Sequence, residues 1–202
     1  MPPGRFLPLE RSFYRRPVLI VARACLGKVL VHDSGEGLAA GRIVECEAYR
    51  GPNDLAAHSA GGRRTRRTEV MFGPPGIAYL FLLYGMHWAF NAVVGEEGEP
   101  HAVLVRAVEP IEGLALMSRR RGRGAARREL TNGPGKVCAA LGLTGEAYGK
   151  DLCGGEVFLA EGEAGPVGRS PRINVEYAGA WAQKKWRFYE RGNRYVSVAP
   201  RD

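Results

Sequence analysis

The chain has 202 residues, enough for one domain with a sizeable hydrophobic core. Its 29 Lys and Arg against 21 Asp and Glu give a net charge of +8, which favours a polyanion such as nucleic acid as partner. No apolar run reaches the length of a membrane span, nothing at the N-terminus resembles a signal peptide, and the four cysteines form no CxxC pair. We therefore expect a cytoplasmic protein with free thiols, without a membrane partner and without a zinc site.

The first part of the chain predicts a helix followed by strands. Residues 16–27 predict the helix, with Pro17 in its first turn. Residues 28–33 and 38–49 predict two strands joined by a tight turn. Residues 50–76 predict a long loop, and long ordered loops are often functional.

A hairpin and a further strand come next. Residues 77–84 and 87–94 are apolar runs on either side of Gly85-Met86, which predicts a hairpin, and residues 101–110 predict a strand. Short helices are predicted over 111–124 and 133–143. Four C-terminal segments predict strands or strand fragments: 156–162, 172–178, 186–192 and 194–200. Strands with short connections and helices at the edges indicate an α+β fold with a largely antiparallel sheet.

The strand 38–49 carries two glutamates on one face. Glu45, Glu47 and Tyr49 alternate along it, so their side chains point the same way. The opposite face takes Val44, Cys46 and Ala48. Same-face neighbours lie about 6.6 Å apart, a spacing at which two carboxylates could serve as acid and base at a glycosidic bond. The alternative is the solvated acidic face of an edge strand.

Arg106 lies in the middle of an apolar strand, where an arginine is costly unless it is paired. Glu45 or Glu47 could supply the partner. A nearby guanidinium would keep such a carboxylate ionised, able to hold a water and take its proton. A purely structural ion pair is the alternative.

Tyr84 lies at the predicted tip of the hairpin, immediately before Gly85. An exposed aromatic near basic residues suggests stacking on a base or wedging into a duplex. The alternative is a tip that folds back on its own hairpin. The basic segments 61–67 and 119–128 suit phosphate contacts, or else are solvated surface. His58 alone makes a poor metal ligand, because no second His or Cys lies at ligand spacing.

Five segments together resemble the alkyladenine (3-methyladenine) DNA glycosylases of the mammalian and bacterial type. They read "GRIVECEAYRGPNDLAAHSAGGRRT", "MFGPPGIAYLFLLYGMHWAFN", "VLVRAVEPIEG", "NGPGKVCAALG" and "AGAWAQKKWRFYERG". The resemblance covers nearly the whole chain, from about Phe13 to Val198, and implies one glycosylase domain over residues 1–202. It also implies a compact domain with a curved antiparallel sheet and flanking helices. Such an enzyme flips a damaged purine out of duplex DNA and cleaves its N-glycosidic bond with water.

The resemblance assigns roles to individual residues. Glu47 is implied as the general base, Arg106 and the main-chain carbonyl of Val175 as holders of the water, and Glu45 as a supporting residue. Tyr49 and His58 are implied to stack on one side of the flipped base, facing Phe81. Asn91 is implied to obstruct the amino group of guanine, and Tyr84 to intercalate. The expected DNA-backbone contacts are Arg63, Arg64, Thr65, Arg67, Met86, His87 and Arg121.

Two positions depart from the family pattern. Phe81 keeps the ring of the usual tyrosine but loses its hydroxyl, and Glu176 stands where a small residue is common. The pocket segments are expected to supply no lysine for a Schiff base, which predicts a monofunctional glycosylase without strand cleavage. The ring-lined pocket is expected to favour cationic alkylpurines.

The expected partner is double-stranded DNA containing damaged purines, bound by a monomer that needs no cofactor and no metal. In a bacterium it would be associated with the nucleoid. Two alternatives stay open: a non-catalytic binder of damaged DNA, and a related enzyme acting on other nucleic-acid bases, such as those of RNA. Only a catalyst needs Glu47, Arg106 and a base pocket.

Overall fold

The structure is a computed structural model that describes residues 6–122 and 126–199. Its helices are α1 (Arg11–Tyr14), α2 (Val18–Cys25), α3 (Leu114–Arg121) and α4 (Pro134–Leu141). Its strands are β1 (Val29–Ser34), β2 (Gly37–Arg50), β3 (Ala78–Leu83), β4 (His87–Val94), β5 (His101–Glu112), β6 (Val157–Ala160), β7 (Val167–Ser170) and β8 (Arg187–Glu190). Short 3₁₀ helices lie at Ala60–Gly62, Glu69–Phe72, Arg127–Glu129, Gly145–Ala147 and Glu176–Gln183.

The eight strands form one open antiparallel sheet, in which six follow the order β3-β4-β5-β2-β1-β6 and the pair β8-β7 branches off from β2. The long strand β2 pairs with β5 along one edge. Its other edge pairs first with β1 and then, at Glu45 to Glu47, with β8, which in turn pairs with β7. The α+β class with an antiparallel sheet is therefore confirmed. None of the helices among the described residues is long and apolar enough to cross a membrane.

The main core lies on the face of the sheet that packs against α2 and α4. Wholly buried side chains from the helices, such as Val21 and Leu141, meet Ile43 and Phe90 from the strands. Cys25, Cys46 and Cys138 are buried free thiols, as the apolar segments around them predict, and Cys153 is a half-buried free thiol. Alternation along β2 then directs Glu45 and Glu47 away from this core.

One residue of β2 does not follow the predicted alternation. The register with β5 shifts between Ile43 and Glu45, which is the mark of a β-bulge. Val44 was expected to share a face with Cys46 and Ala48. It packs instead with Ala107 and Tyr195 in a separate small cluster.

The predicted hairpin is present as β3 and β4, joined by Tyr84, Gly85 and Met86. The amide of Met86 donates to the carbonyl of Leu83 at 3.0 Å. Tyr84 and Gly85 have φ of 52° and 72°, and positive φ at both central residues is what a type I′ turn requires. The turn directs the Tyr84 side chain into solvent, where it is 80% exposed.

Other boundaries differ from the sequence prediction. The strand prediction over 172–178 is wrong, because this segment is irregular and runs into the 3₁₀ helix Glu176–Gln183. Residues 194–199 also form no strand, and Pro200 lies outside the described residues. The helix predicted over 111–124 is shorter, since β5 extends to Glu112; residues 123 and 124 lie outside the described residues. Helix α1 and strand β7 were not predicted.

Candidate active site

Glu45, Glu47 and Arg106 form the buried charged cluster that the sequence suggested. Both carboxylates are wholly buried, and Arg106 is 8% exposed. Arg106 Nε lies 3.3 Å from Glu45 Oε1, and its Nη1 lies 3.4 Å from Glu47 Oε2. Burial works against the charge of Arg106, but Glu47, Glu45 and Tyr49 together outweigh it and raise the pKa of the guanidinium. The arginine therefore stays charged between the two carboxylates.

The two carboxylates have different surroundings. Glu45 accepts from Arg187 Nε at 2.7 Å, from the Ser197 amide at 2.6 Å and from the Ser197 hydroxyl at 2.9 Å, besides Arg106. This set of donors occupies both of its oxygens and ties the C-terminal segment and β8 to β2. Glu45 is thus a structural anchor.

Glu47 accepts fewer hydrogen bonds than Glu45. Its Oε1 accepts from the Ile173 amide at 2.8 Å, and its Oε2 accepts from the Tyr49 hydroxyl at 2.8 Å. Burial first and Glu47 second raise the pKa of Tyr49, so the phenol keeps its proton and donates. Tyr49, Ile173 and Arg106 all line the neighbouring cavity, which places Glu47 directly behind its wall.

The cavity has a volume of about 560 Å³. It brings together nine of the residues that the sequence singled out: Tyr49, His58, Phe81, Tyr84, His87, Asn91, Arg106, Arg121 and Val175. They come from β2, the loop after it, the β3–β4 hairpin, β5, α3 and the segment after β7. A ring-lined cleft of this size is suited to a planar ligand with a few fixed polar contacts.

The rings of the cavity are grouped differently from the implied arrangement. His58 was expected beside Tyr49 and facing Phe81. Instead its ring meets that of Phe81 edge-on, with the centroids 4.5 Å apart. A base stacked between two rings needs about 3.5 Å of contact distance on each side, so no base fits between His58 and Phe81. These two rings form one wall, and Tyr49 packs separately with Ala56 and Val175.

His58 is held by two hydrogen-bond partners. Its Nδ1 lies 2.7 Å from the Tyr79 hydroxyl, and its Nε2 lies 2.7 Å from Arg67 Nη2. An arginine can only donate, so Nε2 accepts and the proton of the neutral ring belongs on Nδ1. Burial, and then the charge of Arg67, lower the pKa of His58 to about 4. The sequence did not point to Tyr79 as a partner.

A second buried ion pair supports Tyr49 and was not predicted. Arg172 bonds through both of its terminal nitrogens to Asp54, and neither side chain has exposed surface. The guanidinium lies 4.8 Å from the centre of the Tyr49 ring. It therefore fixes both that ring and the chain just before Ile173, whose amide donates to Glu47.

Val175 and Asn91 are fixed by their own backbone surroundings. Val175 is buried, and its carbonyl accepts from the Ala178 amide at 2.9 Å, which leaves one lone pair for a further donor. The Asn91 amide nitrogen donates to the Tyr79 carbonyl at 3.0 Å. Both residues line the cavity.

The expected DNA-backbone residues separate into groups. Arg63, Thr65 and Arg67 line an adjoining groove of about 430 Å³ that shares His58 with the cavity. Arg64 is held away from both by Glu69, which accepts from its Nη2 at 2.6 Å. Met86 is 71% exposed at the hairpin tip. The second basic segment, 119–128, includes residues 123–125, which lie outside the described residues.

Lys136 corrects one expectation, since the pocket was expected to contain no lysine. It lines the cavity, and its ammonium donates to the Asn132 side chain at 2.9 Å. The "NGPGKVCAALG" segment already contained it, but the helix prediction there gave no indication that its start faces the site. Within the described parts of the chain, no three His, Cys, Asp or Glu side chains are grouped so as to hold a metal ion.

An ion-paired carboxylate behind a ring-walled cavity suits a hydrolase that takes up a flat aromatic group. Comparison with known proteins gives the family. A sequence profile described as "Methylpurine-DNA glycosylase (MPG)" matches residues 12–194. The chain therefore belongs to the methylpurine-DNA glycosylase family, a family of DNA repair enzymes.

Individual relatives span nearly the full chain. A protein of Desulfitobacterium hafniense is 48% identical over 199 residues, covering 94% of this chain and 98% of that protein. One of Clostridium acetobutylicum is 43% identical, with 97% and 100% covered, and one of Myxococcus xanthus is 49% identical, with 95% and 94% covered. Each carries the name "Putative 3-methyladenine DNA glycosylase".

Proposed function

We propose that this glycosylase binds duplex DNA as a monomer, rotates an alkylated or deaminated purine into the cavity and hydrolyses its N-glycosidic bond. The product is an abasic site. The observation that carries the proposal is the Glu47–Arg106 pair directly behind a cavity lined by Tyr49 and by the contacting rings of His58 and Phe81. The names of the relatives, which refer to 3-methyladenine, support purines as the substrate class.

The chemistry follows from the charge that develops at the sugar. As the purine leaves, positive oxocarbenium character builds at the sugar, and the negative charge of Glu47 stabilises it. The same carboxylate accepts the proton of the attacking water. Arg106 balances the negative charge of Glu47 at 3.4 Å, and the free lone pair of the Val175 carbonyl can orient the water.

The walls of the cavity account for base recognition. The ring of a flipped base stacks between Tyr49 and the wall formed by His58 and Phe81, and damaged bases cost less to unstack. Tyr84, exposed at the tip of the hairpin, fills the gap left in the duplex. Asn91, held rigid by its bond to the Tyr79 carbonyl, restricts substituents on the entering base.

The reaction is proposed to stop at the abasic site. A lyase needs an amine that attacks the sugar, and the only lysine among the described residues that line the cavity is Lys136. Its ammonium is engaged by Asn132, and it projects from the start of α4, a different element from the β2 and β5 strands that carry Glu47 and Arg106.

Glu47→Gln tests the proposal with duplexes that carry hypoxanthine, 1,N6-ethenoadenine or a methylated purine. Strand breaks should appear with the wild type only after alkaline treatment, which reveals abasic sites without lyase activity. The variant should bind the duplexes but excise at least about 10²-fold more slowly, because a carboxamide cannot take the proton. Wild-type rates in Glu47→Gln would refute the assignment of the base, and breaks formed without alkali would refute the absence of lyase activity.

A further inference from the structure

Both aromatic walls of the cavity have an arginine stacked on them from outside the cavity. Arg172 lies 4.8 Å from the centre of the Tyr49 ring, and Arg67 lies 5.0 Å from the centre of the Phe81 ring. Tyr49 and Phe81 line the cavity, but neither arginine does. Each guanidinium therefore occupies the side of its ring that a bound base does not use.

The two arginines differ in how their charge is balanced. Arg172 is neutralised by a bidentate, wholly buried ion pair with Asp54. Arg67 has no carboxylate within ion-pair distance among the residues that the structure describes. It donates instead to neutral His58, whose ring forms a wall with Phe81. The Phe81 side of the cavity therefore has an unbalanced positive charge behind it.

We propose that Arg67 determines specificity by disfavouring cationic bases relative to neutral ones. The argument rests on the proposed function, because it concerns the base that enters the cavity. An aromatic ring attracts a cation through the negative potential of its face. When a guanidinium already lies on one face, a cation on the opposite face meets less of this attraction and is repelled by the charge behind the ring. A neutral base keeps its dispersion contacts with the same ring.

Two lesions of different charge separate this effect from general DNA binding. Purines methylated at N7, such as 7-methyladenine, are cationic within DNA, whereas hypoxanthine is neutral, and both lack the amino group of guanine. Duplexes identical except at the lesion share every phosphate contact, so those contacts cancel in the ratio of the two rates. The informative quantity is the single-turnover rate for 7-methyladenine divided by that for hypoxanthine, each corrected for spontaneous base loss.

Three variants test whether the charge of Arg67 is responsible for the preference between the two bases. Arg67→Gln removes the charge and keeps an amide that can donate to His58. Arg67→Lys keeps the charge and tests for rescue. Arg63→Gln removes a charge from the same groove, at a position whose guanidinium stacks on none of the described rings. Because Arg67 is exposed on its outer side, where solvent and salt weaken its field, we expect a moderate effect.

The ratio of the excision rate for the cationic base to that for hypoxanthine should rise about threefold to tenfold in Arg67→Gln. It should stay within about twofold of the wild-type ratio in Arg67→Lys and Arg63→Gln. An unchanged ratio in Arg67→Gln, or an equal rise in Arg67→Lys, would overturn the inference. The dissociation constants of the two duplexes, measured in the Glu47→Gln background, should show the same change in their ratio. If the wild type excises neither base, the proposed function fails, and this binding ratio still decides the role of Arg67.

Discussion

The two glutamates of β2, Glu45 and Glu47, have different roles, and the free energy of unfolding of their variants can distinguish them. Glu45 accepts from Arg106, Arg187 and Ser197, so its charge holds three segments together. Removing one partner of a buried ion pair typically costs about 3–5 kcal/mol. We expect Glu45→Gln to lower the free energy of unfolding by about 3 kcal/mol and Glu47→Gln to lower it less. Urea denaturation of the two variants compares them, and an equal or larger loss in Glu47→Gln would contradict the anchor role of Glu45.

His58 links the stability of the fold to pH. Its pKa is lowered to about 4 from an ordinary value of 6.5. Between these values the unfolded chain takes up a proton that folded His58 does not, so stability falls as the pH is lowered from 6.5 towards 4. At pH 5 this effect amounts to about 1–2 kcal/mol, allowing for the partial exposure of the ring.

His58→Gln removes this titration and leaves an amide to meet Tyr79 and Arg67. The loss of stability between pH 7 and pH 5, measured by urea denaturation, should therefore be about 1–2 kcal/mol smaller in the variant than in the wild type. Equal losses in the two proteins would mean that other groups titrate in this range and that folded His58 has an ordinary pKa.

At the residue scale, the sequence rule that found Arg106 could also have found a partner that was missed. An arginine among apolar residues needs a buried carboxylate, and Arg187, the first residue of β8, lies between Trp186 and Phe188. Arg172 offered no such signal, because it lies in an irregular segment. Its partner Asp54 lies 118 residues earlier in the sequence, in the loop after β2, so no local pattern indicates the pairing.

At the scale of elements, the alternation of apolar and polar residues predicted correctly those strands whose backbone amides hydrogen-bond to neighbouring strands. It gave a wrong prediction where backbone amides donate to side chains instead. The predicted strands over 172–178 and 194–200 alternate apolar and polar residues as a strand does. In the structure the Ile173 amide donates to Glu47 and the Ser197 amide donates to Glu45. The buried carboxylates thus accept the backbone N–H groups that would otherwise pair with a neighbouring strand. No local sequence pattern indicates these contacts, because their partners are distant in the sequence.

The hairpin between β3 and β4 carries a residue in an unusual conformation, which leads to a prediction about Tyr84. Its φ of 52° lies in the left-handed region, where a residue with a bulky side chain is strained. Tyr84→Gly should therefore leave the free energy of unfolding unchanged or raise it by about 1 kcal/mol. The same change should weaken the flipped complex by about tenfold or more, because stacking an aromatic on a base contributes about 1–3 kcal/mol.

Tyr84→Phe is the matched control for that prediction. It keeps the ring and should retain flipping, as reported by a fluorescent base analogue placed beside the lesion. Since nothing at the tip is part of the core, thermal midpoints should move by only a few degrees in both variants. Normal flipping in Tyr84→Gly together with a large loss of stability would show that the tyrosine is a packing residue.

At the scale of the whole molecule, the branched sheet explains why charge and cavity lie together. The single strand β2 pairs with β5, β1 and β8, so residues from distant parts of the chain converge on Glu45 and Glu47. The sequence predicted the class of this fold and nine of the residues around the cavity. It could not predict the bulge after Ile43 or the separation of the loop arginines into paired and unpaired groups, because both depend on contacts between distant segments.

The net charge of +8 predicts DNA binding that weakens steeply with salt, and we expect the loop arginines to contribute unequally to this dependence. Each phosphate contact contributes a slope of about one in log K against log salt. Arg63 lines the basic groove, whereas Arg64 is already neutralised by Glu69 at 2.6 Å and stacked over Phe72. Arg63→Gln should therefore flatten the slope by about one unit, and Arg64→Gln should flatten it by clearly less. Titrations of an undamaged duplex at several salt concentrations measure both slopes. An equal effect of the two substitutions would mean that DNA breaks the Arg64–Glu69 pair on binding, and an unchanged slope in Arg63→Gln would mean that the groove faces away from the phosphates.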